Sequence, residues 1–305
     1  MKRLFISTLL LFGFFALIFA TFPSTPSPVS LIRKTKSYDL RYELPVYTTF
    51  SLFCSATTHH VFPQALTDAG PQPVFHQSDQ YRFTVLTSNP ESGMDLELEF
   101  QASLHTADLV RGFRALDRSC LHGRCLRFHL TPKGQITLLD DLNDFPRAPC
   151  FWGNQTDSIT ILTMLQTLFP PLPEHPVQSG QSWTLSEDDY QSWTGGPAHI
   201  RSRTHWTVSE LSAVDGNTHM VLEAEYAPLF VNPREGSSMF SADSGNGKTR
   251  LVFPCEQGMI QEASRLFNLN GDIRLESGMQ LNRSTRRQSR IWVVFHSPEE
   301  IRPPV

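Results

Sequence analysis

Beyond Ala20 the chain contains no apolar run long enough to cross a bilayer, so everything after the leader is expected in one compartment. It also lacks a surplus of either charge. Lys and Arg number 26 against 30 Asp and Glu, a net charge of -4, and the basic residues are scattered. That distribution argues against the broad cationic surface a nucleic acid requires. The nearest approach to a basic cluster is Arg283, Arg286, Arg287 and Arg290, just before apolar Ile291, and it reads as a solvated turn and strand face. Motifs that announce chemistry are missing as well. There is no Gly-x-Ser-x-Gly elbow, no His-Glu-x-x-His, no P-loop and no Gly-x-Gly-x-x-Gly. The chain therefore leans away from catalysis, with no catalytic residue, cofactor or metal expected.

Cysteines are few, five in all, and they are read as disulfide formers because the leader described below points to an oxidising compartment. Cys120 and Cys125 bracket Leu121-His122-Gly123-Arg124, a loop short enough for a local staple. Cys150 with Cys255 is the second expected pair, leaving Cys54 odd, although spacing alone does not fix connectivity. A metal held by Cys120, His122 and Cys125 is the sharper alternative, but a fourth ligand at a recognisable spacing is missing. His59 and His60 alternate in direction on a strand, which is poor geometry for one ion. Asp140, Asp141 and Asp144 lack the spacing and the glycine of a calcium loop, and read as a solvated loop.

What is present begins with the leader. Lys2 and Arg3 precede an unbroken apolar run from Leu4 to Ala20, followed by a Pro/Ser stretch to Ser30. This fits a cleavable signal peptide; an uncleaved anchor is the other reading, since the run is close to the minimum that spans a membrane. No cysteine follows the apolar run closely enough for lipid attachment. The expected organisation is a signal peptide or anchor at 1–20, a linker at 21–30 and a single β-rich exported domain at 31–305. The bacterial periplasm is the favoured location, with the membrane engaged only through the N-terminal segment if it is retained; a eukaryotic secretory route stays open.

Along the body the dominant period is two. Leu96, Leu98, Phe100, Ala102 and Leu104 alternate with Asp95, Glu97, Glu99, Gln101 and Ser103, which describes a half-buried strand. The same alternation recurs around Leu126, Phe128 and Leu130, around Met220, Leu222, Ala224 and Tyr226, and around Ile291, Val293 and Phe295. Sheets with one wet face are antiparallel. Asp215-Gly216 between two alternating segments is a strong hairpin signal. Two further hairpins look alike. One has Thr131-Pro132-Lys133-Gly134 between Leu130 and Ile136; the other has Pro254 to Gly258 before Met259-Ile260. They suggest two degenerate repeats, with halves at 31–156 and 177–305.

One segment departs from the period of two. Asp157 can cap a helix whose apolar positions Ile161, Leu162, Met164, Leu165, Leu168 and Phe169 follow helical spacing until Pro170-Pro171 ends it. This helix, 157–169, would join the halves and pack on the sheet. Ser103 to Leu116 is ambiguous between strand and helix, and Val231 to Gly247, rich in Ser, Gly and Asn, reads as a long loop. The fold class expected is mainly β (α+β), a curved antiparallel sheet or half-barrel carrying one main amphipathic helix.

Phe169-Pro170-Pro171-Leu172-Pro173, then Pro176-Val177, Gly180 and Trp183, resembles a motif of uncharacterised exported bacterial β-rich families. Its usual form is Leu-Pro, Pro-Val, then Gly-Asp-Ser-Trp, and Gln181 stands here where Asp is usual. Such families are similar in shape to the periplasmic lipoprotein-carrier fold. The resemblance spans about fifteen residues. It implies a curved sheet around helices and hydrophobic-ligand binding, and carries over no catalytic residue.

Function is thus expected to be non-catalytic, structural or partner-binding, with a carrier or sensor of a hydrophobic ligand as the alternative. The partners expected are a hydrophobic ligand or an envelope protein. For a carrier, Leu98, Phe100, Phe128, Leu162, Leu165, Phe169 and Trp206 would line the ligand site and hold an acyl chain by burial, about 0.8 kcal/mol per methylene. Trp152, Trp183, Trp193, Trp206 and Trp292 read as sheet packing more than as a groove.

Overall fold

The computed structural model describes residues 36–61, 74–109, 112–117, 121–142, 149–151, 154–155, 158–193, 196–214, 217–233, 240–274 and 280–296. The expected leader and linker, Cys120, Asp144, Trp152, Asp157 and Asp215-Gly216 lie outside these residues.

Alternation produces strands wherever it is found. The first half supplies β1 (Thr49–Val61), β2 (Val74–Asn89), β3 (Gly93–Leu109), β4 (Gly112–Asp117), β5 (Cys125–Leu130) and β6 (Ile136–Leu138). A small separate pair follows, β7 (Pro149–Phe151) with β8 (Asn154–Gln155). Helix α1 (Ser158–Leu168) leads to β9 (Ser182–Trp193), β10 (Gly196–Val214), β11 (Asn217–Pro233), β12 (Phe240–Pro254), β13 (Glu262–Arg274) and β14 (Gln280–Phe295). Among the described residues twelve strands form one open, curved, antiparallel sheet in the order β6-β5-β3-β2-β1-β14-β13-β12-β11-β10-β9, with β4 paired to the far end of β3.

The second half is a meander in which strands adjacent in sequence pair; the first is a meander except that β3 pairs with both β4 and β5, and the halves meet where β14 pairs with β1. The two edges of the sheet, β6 and β9, are consecutive in the chain's path except for α1 and its flanks. A connection from edge to edge has to cross the concavity, and the helix makes that crossing, packing against β6, β9 and β10. Ile161, Met164, Leu165 and Leu168, at helical spacing, are all buried. With Pro170 and Pro171 unable to continue the helix, Phe169 is left at its end, fully buried.

The end of the sheet beside α1 is tied by a strap, residues 38–48. Tyr38 pairs with Val177 through two backbone hydrogen bonds. The Tyr42 amide donates to the Pro132 carbonyl and the next amide, Glu43, donates to the Gly258 carbonyl, both at 2.9 Å. Two consecutive residues thus bind the two look-alike turns, one from each half. The Tyr42 ring is buried against Phe169 and Phe253, and its hydroxyl donates to the Pro170 carbonyl at 2.9 Å. Burial pushes the Tyr42 phenol well above its usual pKa, which keeps it a neutral donor.

Three local expectations need correction. Val231 to Gly247 is not a long loop: β11 continues to Pro233 and β12 starts at Phe240. Two of its glycines, Gly245 and Gly247, are strand residues lying under side chains of β13; a Cβ at Gly247 would run into the Phe267 ring, and one at Gly245 into Leu269. Ser103 to Leu116 forms strands β3 and β4, paired antiparallel, with no helix among the described residues. The return strand after Gly258 starts at Glu262, because Met259 and Ile260 are buried in the core instead of pairing in the ladder.

Gly258 and Gly180 both adopt left-handed conformations, with φ of 64° and 77°. A Cβ at Gly258 would strike the Glu43 backbone, whereas at Gly180 nothing lies within 4 Å. In urea denaturation Gly180→Ala should lower stability by about 1 kcal/mol from backbone strain alone. Gly258→Ala should lower it by about 3 kcal/mol, since the strap must also shift. Equal losses in the two variants would show that the strap does not depend on that contact.

Candidate functional site

The inner face of the sheet, the one carrying the buried side chains, is ordered in cross-strand rows. One row runs Val208, Leu222, Leu251, Ala263, Ile291, Cys54, Asp79, Ser103. The next runs Trp183, Trp206, Ala224, Thr249, Arg265, Ser289, Ala56, Gln77. The one beyond it runs Leu185, Thr204, Tyr226, Gly247, Phe267, Arg287, Thr58, Phe75. Apolar residues therefore dominate the first row, and polar or small residues enter among the rings in the next two.

Six of the seven side chains expected to line a ligand site, Leu98, Phe100, Phe128, Leu165, Phe169 and Trp206, meet in one buried cluster. Leu162 is half-buried and stands outside it. The cluster is interlocked. Phe83 lies edge-on to Phe128 at 6.2 Å and to Phe169 at 5.4 Å, and Phe128 and Phe169 are 5.8 Å apart. Phe169 thus holds the helix end to both β2 and β5. Trp206 stacks on half-buried Trp183 at 6.1 Å, with its indole N–H buried and without a hydrogen-bond partner among the described residues. Trp292 stacks on Phe53 at 5.4 Å.

The polar rows were not anticipated as a site. Asp79 is buried and accepts hydrogen bonds from Gln77 Nε2 at 2.5 Å and from the Ser103 hydroxyl. Arg287 reaches over Ala56 and Thr58 of β1 to donate from Nη2 to Gln77 Oε1 at 3.4 Å. This corrects the solvated reading of the Arg283 to Arg290 cluster: Arg286 and Arg290 are exposed, but the strand's period of two turns half-buried Arg287 inward. Arg265 donates from Nη2 to the Thr167 carbonyl in the last turn of α1 at 2.7 Å, where a cation complements the helix dipole. His60 is buried with Nδ1 3.0 Å from the Thr285 hydroxyl, whereas neighbouring His59 is exposed.

This environment is hostile to thiolate chemistry. Burial, helped by nearby Asp79, pushes the Cys54 thiol up to about 12. Cys125 is an exposed free thiol. Cys125 starts β5 opposite Glu99, and the turn before it closes through Arg124 N–H to the Leu121 carbonyl, with Gly123 left-handed; Cys120 lies outside the described residues, so the local staple stays a proposal from sequence. The Cys150 side chain lies outside the described residues, so the pairing with Cys255 stays a proposal from sequence. Asp140 is held below the usual carboxylate range by hydrogen bonds from Arg127, which occupy it as an ion-pair partner. Among the described residues no three His, Cys, Asp or Glu side chains gather as a metal site. A cleft of about 500 Å³ beside the strap is lined by Arg41, Glu91, Lys133 and Glu174, and its Lys133 ammonium is already bound to Asp39 and the Leu40 carbonyl.

No protein-family model and no curated protein matches the chain. Among solved structures it is similar to lipovitellin, from a structure titled for lipid–protein interactions, with a TM-score of 0.49 and 10% identity. That likeness covers 86% of this chain and 26% of the lipovitellin chain, so the protein spans about a quarter of that neighbour's length.

Leu165→Asp would place a carboxylate with no counter-charge in the aromatic cluster and should lower stability by more than about 4 kcal/mol, read from the denaturation midpoint. Wild-type stability would mean that α1 does not pack as described. Iodoacetamide at pH 8 should alkylate Cys125 in the native protein and Cys54 only after unfolding. A Cys125 that labels only after reduction would establish the bridge to Cys120.

Proposed function

We propose that this is an exported, non-catalytic β-rich protein that acts by structural or partner contacts, in the bacterial periplasm, either released or tethered by residues 1–20. One observation carries this reading: the inner face beside α1 is filled by the interlocked rings of Phe83, Phe128 and Phe169. A site that serves an acyl chain needs apolar volume, and here the protein's own side chains occupy it. An envelope protein is the partner class that this location supports.

A second reading, a carrier or sensor of a hydrophobic ligand, is supported by the topology at the sheet edges. β6 and β9 end the strand order, and α1 packs against both. Withdrawal of that one helix would uncover the cluster of Leu98, Phe100, Phe128 and Trp206, and remove Leu165 and Phe169 with it.

Native mass spectrometry with lipid extraction, on the exported full-length protein purified without detergent, separates the two. The expected result is the mass of the polypeptide alone. A stoichiometric bound lipid would overturn the filled-interior reading in favour of the carrier.

A further inference from the structure

Arg265 lies opposite Ser289 and Arg287 lies opposite Phe267, so the two arginines are diagonal neighbours on adjacent strands of the inner face. Sheet geometry puts their Cβ atoms about 7 Å apart, within reach of two long side chains for a common point. Several positions around them are small, Ser289 between them, Thr249 beside Arg265, and Ala56 and Thr58 on the next strand, while Phe267 is a large neighbour of both. Both arginines are half-buried, so solvent reaches them.

Among the described residues neither charge is met by a direct ion pair, although Asp79 acts on Arg287 from farther away. That acid accepts from Gln77 and Ser103. Arg287 spends one donor on a neutral amide and Arg265 one on a backbone carbonyl. Arg265 Nε is buried without a hydrogen-bond partner among the described residues. Such a buried donor is costly, and it points to a missing acceptor. Burial, with Arg265 close by, already holds Arg287 below the usual arginine range, so a bound anion would relieve both.

We propose that the inner face of the sheet binds a phosphate group between Arg265 and Arg287, with the Ser289 hydroxyl as a third donor. A phosphate monoester matches the pair better than a carboxylate because its two charges answer two guanidinium forks and its oxygens accept from both. The group is either a free phosphate or the head of an amphiphile. The site stands whether or not the aromatic cluster beside α1 ever opens.

The test is isothermal titration of the full-length protein in Hepes buffer with inorganic phosphate and, separately, with dodecyl phosphate below its micellar range. Saturable 1:1 binding of at least one is expected, weakened at least about tenfold in Arg287→Gln and unchanged in Arg250→Gln on the exposed face. Equal affinities for the two probes would assign a free phosphate, and a dodecyl phosphate affinity at least about tenfold higher would assign an amphiphile. If Arg287→Gln does not fold, Arg287→Lys keeps the charge, removes the fork and should still weaken binding several-fold. Absence of saturable binding by either probe, or wild-type affinity in the folded Arg287 variant, overturns the proposal. A lipid-free mass spectrum and failed titrations are separate results, so this site and the filled-interior reading fall independently.

Discussion

Two successive amides, those of Tyr42 and Glu43, hold the ends of the two half-sheets together. One binds the turn at Pro132 and the other the turn at Gly258, so the spacing between the halves at this end is set by a single peptide unit. The Tyr42 hydroxyl extends the same constraint to the helix, because its acceptor is the carbonyl of Pro170, immediately after Phe169. Phe169 in turn touches Phe83 and Phe128. Strap, turns, helix end and aromatic core are therefore one mechanical unit. Curvature at this end follows from it, since the sheet cannot flatten without breaking buried hydrogen bonds that have no solvent to replace them.

From that tied end the character of the interior changes along the strands. Rings and aliphatic chains fill the rows beside α1, and within two rows the same face carries Asp79, Gln77, Arg265 and Arg287. Arg265 belongs to both regimes, for it grips the last turn of α1 from the polar side. The interior is thus amphipathic along its length. Its apolar part serves stability, and its polar part holds the buried groups whose hydrogen bonding is incomplete.

Much of the fold was legible in the sequence because the period of two is a direct consequence of strand geometry. The helical spacing at Ile161 to Phe169 translates into α1 with little loss, and the alternation from Leu96 translates into β3 as far as Phe100, where a register shift against β2 turns Ala102 and Leu104 outward. Composition misled where it was allowed to outweigh period. The Ser/Gly run before Gly247 looked like a loop, yet Gly245 and Gly247 make room for Phe267 and Leu269. Arg287 looked solvated as one of four arginines, although counting back by twos from Ile291 through Ser289 puts it inside. The strap carried no signal at all: its bonds run to turns about ninety and two hundred residues away, and no local pattern encodes such partners. Nor could any count of apolar residues show whether the expected lining enclosed space or filled it, since that depends on how the rings interlock.

The pairing of β1 with β14 carries a consequence for the order of events in synthesis. Cys54 sits opposite Ile291, so one flank of β1 stays unpaired until nearly all the later strands have left the ribosome. Contacts of such long range are made late and slowly, because a large loop must close before any ladder bond forms. The sheet therefore has no early finished half-state that includes the junction. A chain built this way remains threadable through a narrow passage for longer than one whose neighbours in space are all neighbours in sequence.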